Sequence, residues 1–120
     1  MTACPKVPET YHLIGEAELA IMKKTAYLVS VTRGSIIGEQ ALIVALKGGQ
    51  IAGPGVDVAE VEPVPPDSLL WDTSNLIITP QRAGAFQHRL QKTFEFFCDN
   101  LRYYLKGEKL GNVVDKNLGF

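Results

Sequence analysis

Apolar and polar positions along this chain change period several times. Residues 26–32 (Ala-Tyr-Leu-Val-Ser-Val-Thr) are rich in β-branched and aromatic side chains and predict a strand over 27–32. Residues 51–58 predict a second strand, and 76–79, closed by Pro80, a third. Between these runs the spacing becomes helical. Residues 15–24 predict a helix, with Leu19, Ile21 and Met22 as an apolar stripe between Glu16, Glu18 and the Lys23-Lys24 pair. Residues 39–47 predict a second helix, stopped by Gly48-Gly49. A long helix is predicted over 85–106. There Leu90, Phe94, Phe97, Leu101, Tyr104 and Leu105 are spaced 4, 3, 4, 3 and 1 apart and form one face, and Gly107 ends it. Residues 107–120 form a tail without clear periodicity. Pro5 and Pro8 make the early chain a loop, and three prolines within 60–67 make another.

Helices and strands therefore run in the order αβαβ–loop–βα. That order predicts an α/β fold with a parallel sheet and crossover helices, in a single domain. Pro54 is the discordant residue. It lacks a ladder donor inside what should be an interior strand, so it predicts either a local stability cost or an edge position.

Composition narrows the function classes. The 120 residues are 46% hydrophobic and 21% charged, with a net charge of −1, so nothing points to nucleic acid or to an anionic membrane surface. Cys4 and Cys98 are far apart and, with only two histidines, offer no metal-type spacing. Two isolated thiols, no apolar run of spanning length and no signal-type N-terminus lead to the expectation of a cytoplasmic protein.

Candidate chemistry gathers at the ends of the strands. The first strand empties into Arg33-Gly34. The second delivers Asp57, followed by Glu62-Pro63. Open α/β sheets bind ligands at the C-terminal edge of their strands, so an arginine and two carboxylates there suit an anionic substrate.

Four blocks carry a resemblance: residues 5–10 (Pro-Lys-Val-Pro-Glu-Thr), 31–34 (Val-Thr-Arg-Gly), 53–63 and 76–84. Together with the ending Asn112-Val113-Val114-Asp115, they make the chain similar to the D-isomer-specific 2-hydroxyacid dehydrogenase family from about Cys4 to Phe120. The resemblance implies a partial Rossmann-like domain: half of a doubly wound parallel sheet, with the helix over 85–106 and the tail over 107–120. It covers the second half of that family's NAD-binding domain. The chain contains no G-x-G-x-x-G phosphate turn. It thus reads as a truncated gene product, an expressed fragment or a remnant.

The resemblance also assigns roles. Arg33 matches the arginine that holds the substrate carboxylate and keto oxygen. Asp57 matches the aspartate that receives the nicotinamide carboxamide. Glu62 matches the glutamate that orients the catalytic histidine; Glu60 is a decoy, because the family's acid directly precedes proline. Gln81 stands where the family has that histidine, after Thr79-Pro80. An amide donates a hydrogen bond but is no general acid, a role typically worth ~10²–10⁴-fold. Cys4, Pro5, Thr10, Val31, Thr32, Arg33, Asp57, Gln81 and Gly84 match cofactor-side positions. Lys6 and Val7 depart from the usual Leu-Thr. His88 and His12 receive no role, and Trp71 is expected in the core rather than stacked on a ligand.

Two functions follow as expectations. One is a fragment of an oxidoreductase that moves hydride between NAD or NADP and a 2-hydroxy or 2-keto acid, inactive alone and binding the cofactor weakly or not at all. The other is a non-catalytic structural or self-associating module. The orphaned sheet edge and helix face suggest a homo-oligomer, most simply a two-fold dimer.

Overall fold

Burial alternates exposed, buried, exposed, buried along β1 (Tyr27–Ser30), so Leu28 and Ser30 face inward. In the computed structural model, which describes Met1 to Phe120, β1 lies at one side of a three-stranded parallel sheet of order β1-β2-β3. β2 (Gly53–Val56) runs between β1 and β3 (Ile77–Ile78), with Ser30 opposite Val56 and Val56 opposite Ile78. The parallel α/β architecture expected from the element order is the one found. The chain divides into two compact units, Met1–Arg82 and Ala83–Phe120.

In the first unit, α1 (Glu16–Ala20) and α2 (Glu39–Lys47) pack together, and α2 makes the crossover from β1 to β2. Leu19, Leu28, Ile37, Leu42, Ala45 and Val56 form the main core with their neighbours. A second cluster of Ile43, Ala59 and Leu70 lies with Val64, Leu76 and Ile78 under the connection from β2 to β3. At the start of α1 the Glu18 carboxylate accepts the Gly15 N–H at 2.9 Å, which holds its pKa below the usual carboxylate value. The capped form is therefore complete above the ordinary carboxylate range and is lost as pH falls through the lowered value.

Several bounds differ from expectation. α1 stops at Ala20 rather than residue 24, because positions two apart do not share a helical face: Leu19 is buried while Ile21 is 85% exposed. All three strands are shorter than expected. β3 keeps two residues because Asn75 (φ 60°) and Gln81 (φ 50°) bracket it with left-handed backbone. α2 keeps its expected bounds. Gly49, at φ 62°, takes the left-handed position beyond its end, donating to Leu46 O while Gln50 donates to Ala45 O. Pro54 is not at an edge: β2 is the central strand, and pairing with β3 begins one residue later, at Gly55. The outer side of β1 carries a single bridge from Thr2, whose N–H donates to Val29 O at 2.8 Å.

The second unit holds α3 (Arg89–Lys106), which begins four residues later than expected; Arg89 N–H donates to Phe86 O in a turn ahead of it. No residue of α3 is buried. The Asn100 side chain ties back the tail, accepting the Gly111 N–H at 2.8 Å and donating to Gly111 O at 3.3 Å.

Gly34 marks the tightest approach in the first unit. A Cβ placed there would lie 1.8 Å from Ala59 O and 2.4 Å from Glu60 N. The turn after β1 and the segment after β2 thus meet backbone to backbone. Gly34→Ala is expected to lower the unfolding free energy by about 1–3 kcal/mol or more, since backbone must yield rather than a side chain. Chemical denaturation measures this, and an unchanged midpoint would contradict the contact.

Candidate functional site

Asp57 follows the last residue of β2 and is only 6% exposed. Its N–H donates to Ser30 O at 2.9 Å, prolonging the link to β1. Its carbonyl accepts the Gln81 N–H at 2.9 Å. Its Oδ1 accepts a short hydrogen bond from the Thr79 hydroxyl and a second from the Arg82 N–H at 2.7 Å. A buried carboxylate is costly unless donors surround it, and here they come from the chain leaving β3. Thr79 had no assigned role in the sequence. It becomes visible only with the register, because Val56 opposite Ile78 sets Asp57 beside Thr79.

Glu62 Oε1 accepts the Ala59 N–H at 2.9 Å and closes the turn after β2; the peptide to Pro63 is cis. An open cleft of about 750 Å³ lies between this turn and the end of β3. Asp57, Glu62, Thr79 and Gln81 supply its polar lining, and Val58, Val64, Trp71, Ile78 and Pro80 much of its apolar lining. Its size and mixed lining, at the C-terminal edge of a parallel sheet, are those of a small-molecule site. Gln81 sits at its rim in the left-handed region, a conformation that costs a non-glycine residue about 1–2 kcal/mol.

The structure brings Asp57, Glu62 and Gln81 to one cleft, but Arg33 does not line it. The Arg33 guanidinium instead donates from Nη1 to Thr32 O at 2.9 Å. Val31 is exposed, and Thr32 is buried with a hydroxyl that makes no hydrogen bond within the chain. The Thr10 hydroxyl accepts the Val7 N–H at 2.9 Å and donates to Pro5 O at 2.8 Å, so it closes its own loop. Pro5 is exposed and Cys4 is a half-buried free thiol. Gly84 belongs to the second unit.

One reading is corrected, and two residues gain contacts that the sequence did not assign. Trp71 is not core. It is 54% exposed and lines the cleft, and its indole N–H donates to Pro65 O at 2.8 Å. A buried indole would need such a partner inside the core, and this one lies in the loop. Glu60, set aside as the family's acid, has contacts of its own. It accepts the Glu39 N–H at 3.4 Å while Glu39 accepts the Glu60 N–H at 3.1 Å. His12 has a role too: its Nε2 lies 2.8 Å from Glu60 Oε1, and its ring stacks on Tyr11 with centroids 3.9 Å apart. These contacts clasp three segments distant in sequence, which local patterning does not reveal. No group of three or more His, Cys, Asp or Glu side chains is placed to hold a metal. No helix is long and apolar enough to cross a membrane.

Residues 1–83 match the family model for the NAD binding domain of D-isomer specific 2-hydroxyacid dehydrogenases. A glyoxylate reductase of Korarchaeum cryptofilum is 41% identical over 114 residues, which are 95% of this chain and 34% of that protein. A D-isomer specific 2-hydroxyacid dehydrogenase from Xanthobacter autotrophicus, solved with NADPH and MES, superposes with a TM-score of 0.85 at 36% identity, covering 98% of this chain and 48% of that one. An NADPH-dependent glyoxylate/hydroxypyruvate reductase from Sinorhizobium meliloti, solved with NADP and sulfate, gives a TM-score of 0.85 at 26% identity, over 98% of this chain and 38% of that one. The chain spans about a third of the length of the curated relatives it matches.

Removing the Asp57 carboxylate leaves the Thr79 hydroxyl and the Arg82 N–H without their acceptor. Asp57→Ala is expected to cost about 1.5–3 kcal/mol of stability, the usual worth of hydrogen bonds to a charged group. Amide exchange at Gln81 and Arg82 should accelerate in parallel. Asp57→Asn, which keeps an acceptor oxygen, should recover part of the loss. Slow exchange at both amides in the alanine variant would show that the tie lies elsewhere.

Proposed function

The chain belongs to the D-isomer specific 2-hydroxyacid dehydrogenase family, in its NAD-binding domain, and on that premise we propose that it forms the nicotinamide-facing part of an oxidoreductase acting on a small 2-keto acid of the glyoxylate type. The observation that carries this reading is the gathering of Asp57, Glu62 and Gln81 on one apolar-walled cleft at the sheet edge. The names of the relatives, glyoxylate reductases and glyoxylate/hydroxypyruvate reductases, support the substrate class.

The residues present suit the nicotinamide end of NAD or NADP. The cleft offers apolar side chains beside a carboxylate and an amide. They do not include a glycine-rich turn for the pyrophosphate. The nicotinamide, when bound, supplies or accepts the hydride. Asp57, already organised by Thr79 and Arg82, orients the carboxamide. Gln81 donates a hydrogen bond to the substrate oxygen and transfers no proton. Glu62 fixes the turn that shapes the cleft wall. Arg33, placed outside the cleft lining, meets the substrate carboxylate only after its guanidinium leaves Thr32 O. The exposed face of α3 favours a second reading, a non-catalytic self-associating module, and the two are compatible in one chain.

The 120-residue chain alone is expected to show no dehydrogenase activity and only millimolar affinity for NAD or NADP. A Kd of 1 mM corresponds to about −4 kcal/mol, as much as nicotinamide-side contacts plausibly supply. Following NADH absorbance with glyoxylate, hydroxypyruvate and pyruvate tests the first part; calorimetry with each cofactor tests the second. Micromolar binding, or turnover abolished by Arg33→Ala, would overturn this reading.

A further inference from the structure

Charge in the cleft beside β3 is all of one sign. Its ionisable lining groups are two carboxylates, Asp57 and Glu62, and no lysine, arginine or histidine lines it. Arg33 turns its guanidinium to Thr32 O, and Arg82 acts on Asp57 through its backbone N–H. The Asp57 charge is already met by that N–H and by the Thr79 hydroxyl, so Glu62, with one bond from Ala59 N–H, is the less compensated acid. Trp71, the single tryptophan of the chain, lines the same cleft and is 54% exposed. Its indole N–H is engaged at Pro65 O at 2.8 Å. That bond holds the ring and occupies its one polar atom, so what Trp71 adds to the cleft is carbon framework and π cloud. Indole offers the best side-chain π cloud for a cation. A volume of about 750 Å³ has ample room for one substituted aromatic ring.

We propose that this cleft is a charge-selective site for a small planar monocation, an N-alkylpyridinium ring without phosphate, and that Trp71 and Glu62 set the selectivity. The proposal rests on the cleft being a ring site, as in the function proposed above; the preference for positive charge and the independence from phosphate go beyond it. A ring cation draws on the π cloud of Trp71 and on the carboxylates through space. Its charge is delocalised, so it gives up less hydration on entry than a compact ammonium does, as a guanidinium shows. A neutral ring keeps only the apolar contact. An anionic ring meets like charges and no cation. A phosphate meets the same repulsion and finds neither a basic residue in the lining nor a glycine-rich turn in the chain. The oxidised nicotinamide ring is such a cation and the dihydronicotinamide ring is not. The cleft therefore separates the two oxidation states by charge, with Trp71 and Glu62 as the residues that read it.

One indole N–H signal belongs to the whole chain, which makes an NMR titration direct. The isotope-labelled full chain is titrated with 1-methylnicotinamide, with its neutral dihydro form and with nicotinate, following the Trp71 indole and the Thr79 and Gln81 amides. The cation should bind about fivefold or more tighter than the dihydro form, with nicotinate the weakest, and the preference should shrink as salt is raised. Nicotinamide mononucleotide should bind no tighter than 1-methylnicotinamide. Glu62→Gln keeps an oxygen for the Ala59 N–H and should remove much of the preference without changing the affinity of the dihydro form. Trp71→Leu, followed at the two amides, should weaken the cation by about threefold or more. Should that variant unfold, Trp71→Phe, which keeps a ring with a weaker π cloud, should give a smaller loss in the same direction. Equal affinity for the cation and the dihydro form overturns the proposal, as does tighter binding of nicotinate or of the mononucleotide. A preference untouched by Glu62→Gln and by the Trp71 variants overturns it too, because the cation would then sit elsewhere. Millimolar NAD binding without any preference for the ring cation would overturn this selectivity and leave the proposed function standing.

Discussion

The hydrogen-bonded environment of Asp57 is the constraint on which the first unit depends. Its backbone N–H reaches β1, and its carbonyl and carboxylate reach the segment leaving β3. One residue therefore holds the exits of all three strands in line. A carboxylate this buried is tolerable only because a hydroxyl and a backbone amide are aimed at it. The same donors that neutralise the cost of burial also set the rim of the cleft. Stability and site geometry here rest on one set of bonds.

Pattern was informative wherever a local rule acted alone. The bounds of α2 are legible because its amphipathic period runs straight into a pair of glycines, and the parallel sheet is legible from the alternation of elements. Legibility fails where backbone conformation or long-range pairing decides. Asn75 and Gln81, neither of them glycine, adopt left-handed φ and cut β3 to two residues. Ile21 looked apolar enough for a helix face but lies beyond the end of α1. The clasp of His12, Glu60 and Glu39 joins positions up to 48 residues apart, and no spacing rule announces it.

The candidate site shows the same division. Asp57, Glu62 and Gln81 are found together on the cleft; strand-end position had grouped Asp57 and Glu62 with Arg33, and only the family resemblance singled out Gln81. Trp71 was expected in the core, yet its indole N–H is satisfied at a loop carbonyl and its ring lines the cleft. Arg33 occupies the expected place in the chain with its side chain turned to its own backbone. Residue identity reports which chemistry is available, whereas the hydrogen-bond partners decide which of it is deployed.

The backbone contact at Gly34 has a mechanical meaning. Two loops that touch through side chains can slide, because rotamers adjust. Two loops that touch through main chain have nothing compliant between them. The turn bearing Arg33 and the turn bearing Glu62 are thereby coupled as one stiff element, and a displacement imposed on either is transmitted to the other. Change in the shape of the cleft falls instead to the side chains of Trp71, Val64 and Pro80 on its lining, which rotamers and substitution can alter while the main-chain contact stays in place.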